Sequence, residues 1–380
     1  MNRLTLVEGL RAYLAMWVLV GHVLMAAGYD QYKLSGFALL LGQNWYAVDV
    51  FVIVSGFVIF FLLDNKHETY GVFICRRFFR LYPLFIILFI VSIPSSLLYK
   101  WDLEHSKYLT LWGGRFLDQV NSEWKHWQWN VLWHLPMLHG IVPDSKGNCT
   151  GVAFLGQAWS VSLEWQFYLI APLAYLAAVS RRPLKRVGIC VFCLYLFLGK
   201  DLLTQDVISG YSGLGAFLPF HVEYFFVGSV SYFIFREIRH IGSDVYFPVA
   251  ACIAWFFWNR FTPFCIWIVF LGLLLENPAS YSAKILYPLF SHAVVQFLGR
   301  ISYSIYLSHM LVLYVAEYFV LRYMPNLSSI AYFWILLVAT VGGTVLASAM
   351  LYRFVESPGI RYGAKFASRF RKFPVPHQVK

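Results

Sequence analysis

Residues 11–28 read Arg11-Ala-Tyr-Leu-Ala-Met-Trp-Val-Leu-Val-Gly-His22-Val-Leu-Met-Ala-Ala-Gly28. No charged side chain separates Arg11 from His22. An apolar run of this length, with no small-residue cleavage site cleanly behind it, predicts a transmembrane helix rather than a signal peptide. His22 then lies inside the bilayer. It stands eleven residues after Arg11, which at ~100° per residue returns to within about 20° of the same helix face, roughly 16 Å along the axis. An ionisable group at depth costs about a few kcal/mol to insert, so it marks a functional cavity unless a neighbouring helix bonds it for packing alone. Imidazole is also the side chain that takes and returns a proton near neutral pH, which makes His22 the first candidate for a base or relay.

The rest of the chain has the same character. Its 380 residues are 59% hydrophobic and only 13% charged, with a mean hydropathy of +0.62, which excludes a soluble domain of this size. Runs bounded by charge, Gly or Pro predict ten spans: about 11–28, 46–63, 81–99, 158–178, 187–203, 213–235, 245–258, 262–276, 302–321 and 331–354. The seventh and eighth are short enough to form one re-entrant pair. The expected fold is all-α, a polytopic membrane helix bundle.

With the N-terminus inside, 21 of the 30 Lys and Arg residues fall on inner segments, so the positive-inside rule places both termini in the cytoplasm. The net charge of +11 is thus explained by membrane orientation, without nucleic acid. Residues 1–355 are expected to form the membrane domain, and 356–380 a basic cytoplasmic tail near the anionic leaflet. The six cysteines form neither a disulfide framework nor a metal-ligand set, and Cys190-x-x-Cys193 lies in a hydrophobic run without companion ligands.

This topology leaves residues from about 100 to 157 as the longest outer loop. Trp124, His126, Trp127, Trp129, Trp133, His134 and His139 argue against disorder there, and suit either sugar rings or a membrane interface. Asn148-Cys-Thr and Asn326-Leu-Ser match the glycosylation sequon, which matters only in a secretory eukaryotic cell.

Three polar groups fall in the outer half of the spans: His22, Asp49 and Glu164. A carboxylate beside an imidazole raises its basicity and fixes its tautomer, the base-plus-orienter pattern of acyl transfer; a partner for an interfacial Trp or Arg is the alternative for either acid. On the inner side, Arg76, Arg77 and Arg80 open the third span. Positive-inside anchoring explains any one of them, while several guanidinium forks at a helix start also make a phosphate clamp. The segment Ser302-Tyr-Ser304-Ile-Tyr-Leu-Ser-His309 is rich in hydroxyls for a span, and His309 can bond to them structurally or act chemically. A Gly-x-Ser-x-Gly elbow, a His-Glu-x-x-His motif and a Gly-rich phosphate loop are all absent, and no inverted repeat is evident.

Five motifs in order, Glu8-Gly-Leu-Arg11 followed by His22, Asp49-Val-Phe-Val-Ile-Val-Ser-Gly-Phe57, Arg77-x-x-Arg80 with Leu-Tyr-Pro83, Trp159-Ser-Val-Ser-Leu-Glu164-Trp-Gln-Phe-Tyr-Leu169 and Ile301-Ser-Tyr-Ser-Ile-Tyr-Leu-Ser-His309, resemble the acyltransferase-3 family of membrane O-acyltransferases. The resemblance covers about residues 3–355. It implies a ten-helix bundle that passes an acyl group, usually acetyl, from cytoplasmic acyl-CoA to a carbohydrate hydroxyl outside, with acyl-CoA as co-substrate, no bound cofactor and no metal. Position by position, it makes Arg11 and His22 the family's first-helix Arg and catalytic His, Arg77 and Arg80 its donor-binding pair, and Glu164 its acidic position. Ser308 departs from the hydrophobic residue or Trp usual before the last motif's histidine.

The mechanism expected from residues and resemblance together has the arginines hold the CoA phosphates, with Arg11 assisting, while the pantetheine arm runs beside the first helix to His22. His22 then acts as base or accepts the acyl group itself, oriented by Glu164 or Asp49, with Arg76, Ser304 and His309 secondary. The resemblance also implies a bacterial inner membrane, and the short tail leads us to expect no appended esterase-like domain. The rival reading is a transporter or flippase of a glycan or lipid-linked sugar.

Overall fold

The computed structural model describes residues 4–29, 34–66, 68–108, 113–142, 149–180, 216–238 and 243–369. These residues are helical almost throughout: α1 Leu4–Ala26, α2 Gly36–Gly42, α3 Trp45–Lys66, α4 Tyr70–His105, α5 Gly113–Lys125, α6 Trp127–His134, α7 Trp159–Ala178, α8 Val222–Ile238, α9 Tyr246–Leu275, α10 Tyr281–Ser291, α11 Ala293–Arg300, α12 Ser302–Tyr323, α13 Ser329–Leu351 and α14 Ser357–Ser368. Five stretches, Leu4–Ala26, Trp45–Lys66, Tyr70–His105, Ser302–Tyr323 and Ser329–Ser368, are long and apolar enough to cross a membrane. The predicted span 187–203, the pair Cys190 and Cys193, and Asn148 of one sequon lie outside the described residues.

Hydropathy and helix length part company at three places. α4 runs from Tyr70 to His105 with Pro83 and Pro94 inside it, well beyond the predicted 81–99, because its polar ends continue the backbone hydrogen-bond ladder that apolarity alone does not reveal. The short seventh and eighth spans are two helices, Tyr246–Trp258 and Phe261–Leu275, that follow directly within α9 and meet at a kink where Phe261 takes φ −140° and ψ 42°; Pro263 lacks the N–H and crowds the preceding turn. The supposed outer loop holds two further helices, α5 and α6, and three short 3-10 turns.

The chain forms two compact units. The first comprises 1–58, 97–117 and 224–348. In it, α1 buries Leu6, Leu10, Leu14, Val18, Leu19 and Val23, which lie over most of its circumference, while Tyr13 stays exposed. Glycine makes this possible. A Cβ at Gly9 would stand 2.2 Å from the Phe290 carbonyl oxygen of α10, and one at Gly299 of α11 would stand 2.1 Å from the Glu8 oxygen; only backbone fits there. Phe57 packs edge-on against Tyr232, Phe235 and Trp267, and the Trp267 indole donates to Ser231 Oγ at 2.9 Å.

The second unit comprises 59–96, 118–223 and 349–380. Its centre is a parallel stack of rings: His134 and His139 lie 4.0 Å apart, and Phe89 covers His134 at 4.5 Å. Both imidazoles are fully buried, so they are core groups and not the solvent-facing sugar contacts that the loop composition allowed; burial pushes the His139 pKa down to about 4. Trp127 and Trp129 are the exposed aromatics of α6. The tail expected after the last span continues as α14, where Tyr362 and Phe366 pack on Phe79.

Two measurements follow. Gly299→Ala forces overpacking against backbone and lowers stability by about 1–3 kcal/mol; Gly342→Ala, which meets no atom within 4 Å, leaves the thermal midpoint unchanged or raises it. Burial raises the carboxyl of Glu123 to about 7. A carboxyl raised in the folded state stabilises it fully below its free value and loses that contribution as pH rises through about 7. Hydrogen exchange in α5 therefore speeds up relative to the chemical rate between about pH 4.5 and 7 and levels off above 7, and Glu123→Gln abolishes that dependence.

Candidate active site

In the first unit, α1 and α12 bring two imidazoles together. His22 and His309 have ring centroids 5.0 Å apart, and His309 Nε2 lies 3.2 Å from His22 Nδ1. The hydrogen bonds decide the tautomers. His309 Nδ1 is 2.7 Å from the Tyr306 carbonyl oxygen, which only accepts, so Nδ1 carries the proton and Nε2 holds a lone pair. His22 Nδ1 is 2.9 Å from the Val18 carbonyl oxygen and must likewise be the protonated nitrogen. Its N–H is thus shared between Val18 O and His309 Nε2, and its own Nε2 is left as the basic atom. His309 is buried at 1% exposure, while His22 is half-buried and forms part of the wall of a cleft.

A third group completes the arrangement. The Asn44 amide is 3.3 Å from His22 Nδ1, and with that nitrogen protonated it serves best with Oδ1 presented. Its approach depends on Gly21, where a Cβ would stand 2.5 Å from the Asn44 Cβ. Trp17, one turn earlier, donates to Leu40 O at 2.9 Å and Leu41 O at 3.2 Å, tying the end of α2 to α1 just ahead of Asn44. Ser304 is fully buried on α12, and Ser308 Oγ lies 3.1 Å from Ser348 Oγ. That bond explains a hydroxyl before His309 as a helix-to-helix contact. Arg11 and Asp49 are half-buried on α1 and α3.

The second unit gathers the arginines. Arg76 pairs with Glu68. Arg80 Nη1 is 3.3 Å from Glu356 Oε1, whose side chain is fully buried. Arg77 lies between aromatic faces, its guanidinium carbon 5.9 Å from the centroids of both Phe73 and Tyr168, and its Nε has no hydrogen-bond partner. Glu164 accepts from the Tyr168 hydroxyl, and is a charged neighbour of Arg77 together with Arg80 and Glu68. The three arginines therefore differ: two are held by carboxylates, and Arg77 is held mainly by rings.

A family model of the acyltransferase domain, acyltransferase-3 type, matches residues 5–349. The chain belongs to the acyltransferase-3 family. Among its relatives, O-acetyltransferase OatA of Staphylococcus aureus strain NCTC 8325 / PS 47 is 25% identical over 390 residues, covering 94% of this chain and 57% of that protein. SAR0937 of Staphylococcus aureus strain MRSA252, provisionally named an O-acetyltransferase, is 23% identical over 418 residues, covering 98% and 60%. The chain spans about three fifths of the length of the curated relatives it matches. No solved structure matches it. The family match and five helices long and apolar enough to cross a membrane together mark an integral membrane protein of this family.

Several of these residues were not legible from the sequence. His309 stood only as a secondary candidate, yet its Nε2 lies against His22 Nδ1. Asn44, Gly21 and Glu356 were missed; Gly21 beside His22 was the available signal for close approach to that helix face. Arg80→Ala removes the ion pair to the buried Glu356 carboxylate and lowers the thermal midpoint by the equivalent of about 1–3 kcal/mol. Adding Glu356→Gln recovers most of that loss, and the double-mutant cycle separates this structural term from any donor-binding effect.

Proposed function

We propose that this acyltransferase transfers acetyl from cytoplasmic acetyl-CoA to a hydroxyl of a cell-surface or exported carbohydrate, and that His22 is its general base. The observation that carries the reading is the imidazole pair. His22 has its Nδ1 proton committed to Val18 and His309, and its basic Nε2 sits on a residue lining a cleft. In the direct route, Nε2 takes the acceptor hydroxyl proton as the oxygen attacks the thioester carbonyl. The new ester C–O bond forms, the C–S bond breaks, and the imidazolium returns the proton to the departing CoA thiolate. His309 stays neutral throughout; its Nε2 lone pair receives the imidazolium N–H and steadies the charge.

The donor's phosphates are assigned to Arg77 and Arg80, with Arg76 and Arg11 assisting, because guanidinium forks match phosphate oxygens. Arg77 is the better placed of the pair, since Arg80 already faces Glu356. Glu164, linked to Tyr168, balances that cationic group, and Asp49 on α3 supplies acid–base support. The accompanying topology is ten spans with both termini in the cytoplasm of a bacterial inner membrane, residues 1–355 as the membrane domain and 356–380 as the basic tail.

The test is proton NMR of the host's surface glycans in a strain lacking the protein, complemented at matched membrane levels. Wild type restores an acyl-ester signal and His22→Ala does not; loss of a general base lowers transfer by about 10²–10⁴-fold. In membranes, Arg77→Ala raises the KM for acetyl-CoA more than His22→Ala does. Esters that persist in all strains while glycan amount or location changes would instead mark a transporter.

A further inference from the structure

The last helix carries an arrangement that the chemistry above leaves unused. On one side of α14 runs a stripe of small residues, Gly359, Gly363 and Ala367. A Cβ at Gly363 would stand 2.4 Å from the Phe79 Cβ of α4, and one at Gly359 would stand 3.0 Å from the Phe79 carbonyl oxygen; Ala367 is fully buried. Spaced four apart, the three lie within about 80° of one another round the helix, so their packing fixes which way α14 faces. Arg361, Lys365 and Arg369 have the same spacing but start about 200° round from Gly359. All three are exposed.

This row of cations lacks the compensation found at other arginines. Arg76 faces Glu68, Arg80 faces Glu356 and Arg236 faces Glu237. Arg361, Lys365 and Arg369 form no ion pair with a described residue, and Ser357–Ser368 contains no acid. Like charges one helical turn apart repel, so the row favours an anionic partner from outside the chain. Its position says which kind. α13 has 23 residues and no charged side chain; at about 34 Å it covers the hydrocarbon layer by itself. α14 follows it through a single π turn, Tyr352–Glu356, and so starts at the level of the lipid headgroups. Tyr362, exposed beside the cations and stacked on Phe366, is the aromatic type that settles at that level. A straight row of charges on a convex helix encloses no soluble anion, but it lies flat against a layer of phosphates.

We propose that the Arg361, Lys365 and Arg369 face of α14 is a binding surface for the headgroups of anionic phospholipids. It assigns lipid contact to three side chains on one face of a helix bolted to α4, and it is independent of the acyl-transfer reading.

Retained lipid tests it. The full chain is reconstituted in nanodiscs of equal parts phosphatidylcholine and phosphatidylglycerol, released into detergent and weighed intact by native mass spectrometry. Wild type keeps phosphatidylglycerol in preference to phosphatidylcholine. Each cation at an anionic surface is worth roughly fivefold, so Arg361→Gln, Lys365→Gln and Arg369→Gln together lower that preference by about tenfold or more. A control set, Lys125→Gln, Lys284→Gln and Arg322→Gln, removes three exposed cations from other helices and leaves the preference as in wild type. Unchanged thermal midpoints certify the folds, and Lys365→Gln alone, with a loss of roughly fivefold, serves where the triple variant does not fold. The proposal is overturned if the α14 variants keep the wild-type preference, if the control set lowers it equally, or if inorganic pyrophosphate displaces the phosphatidylglycerol and so marks a soluble-anion site.

Discussion

The structure around the site depends on packing α1 closely among its neighbours. Neighbouring helices can come this close to α1 only where they meet bare backbone. Gly9 and Gly299 provide that contact, leaving a Cβ no room against Phe290 or Glu8. Once α1 is locked among α10, α11 and α12, the height and direction of His22 are fixed by helix geometry. The imidazole meets His309 because both helices are held, with no adjustable loop between them and the chemistry.

That rigidity gives the imidazole pair its direction. Two histidines in contact are chemically ambiguous until each has one nitrogen committed. The backbone carbonyls of Val18 and Tyr306 commit them, since a carbonyl takes a hydrogen bond only from a protonated nitrogen. The lone pairs then run one way, from His309 Nε2 toward His22, leaving His22 Nε2 as the basic atom. A neutral imidazole is a weaker orienter than a carboxylate, but it brings no second charge into a low-dielectric setting, where an extra ionised group would itself need a partner.

The arginine group follows a different rule. Cations gathered at one helix start repel one another and lose hydration as they pack, so each needs its own compensation. Glu68 and Glu356 supply carboxylates and Phe73 with Tyr168 supply ring faces. A guanidinium cushioned by rings keeps its hydrogen-bonding edge for a partner in a way that one clasped by a carboxylate does not.

By itself the sequence determined the class of fold and the residues that stand as candidates for the chemistry. Apolar run lengths require membrane helices, since lipid leaves the backbone no other partner, and an uncharged run holding one histidine picks out His22. The spacing of Arg77, Arg80 and Glu164 within shared motifs likewise marked them. Only the tertiary structure decided which groups meet. His309 lies 287 residues from His22, and Glu356 lies far along the chain from Arg80; no local period links such positions. The basic tail reads in sequence as scattered charges, and Arg361, Lys365 and Arg369 become one outward face only when Gly359 and Gly363 lock the other side of the helix on Phe79. Pair identity, tautomer and the side a helix turns outward are properties of three-dimensional neighbourhood, and they are what give this helix bundle a site.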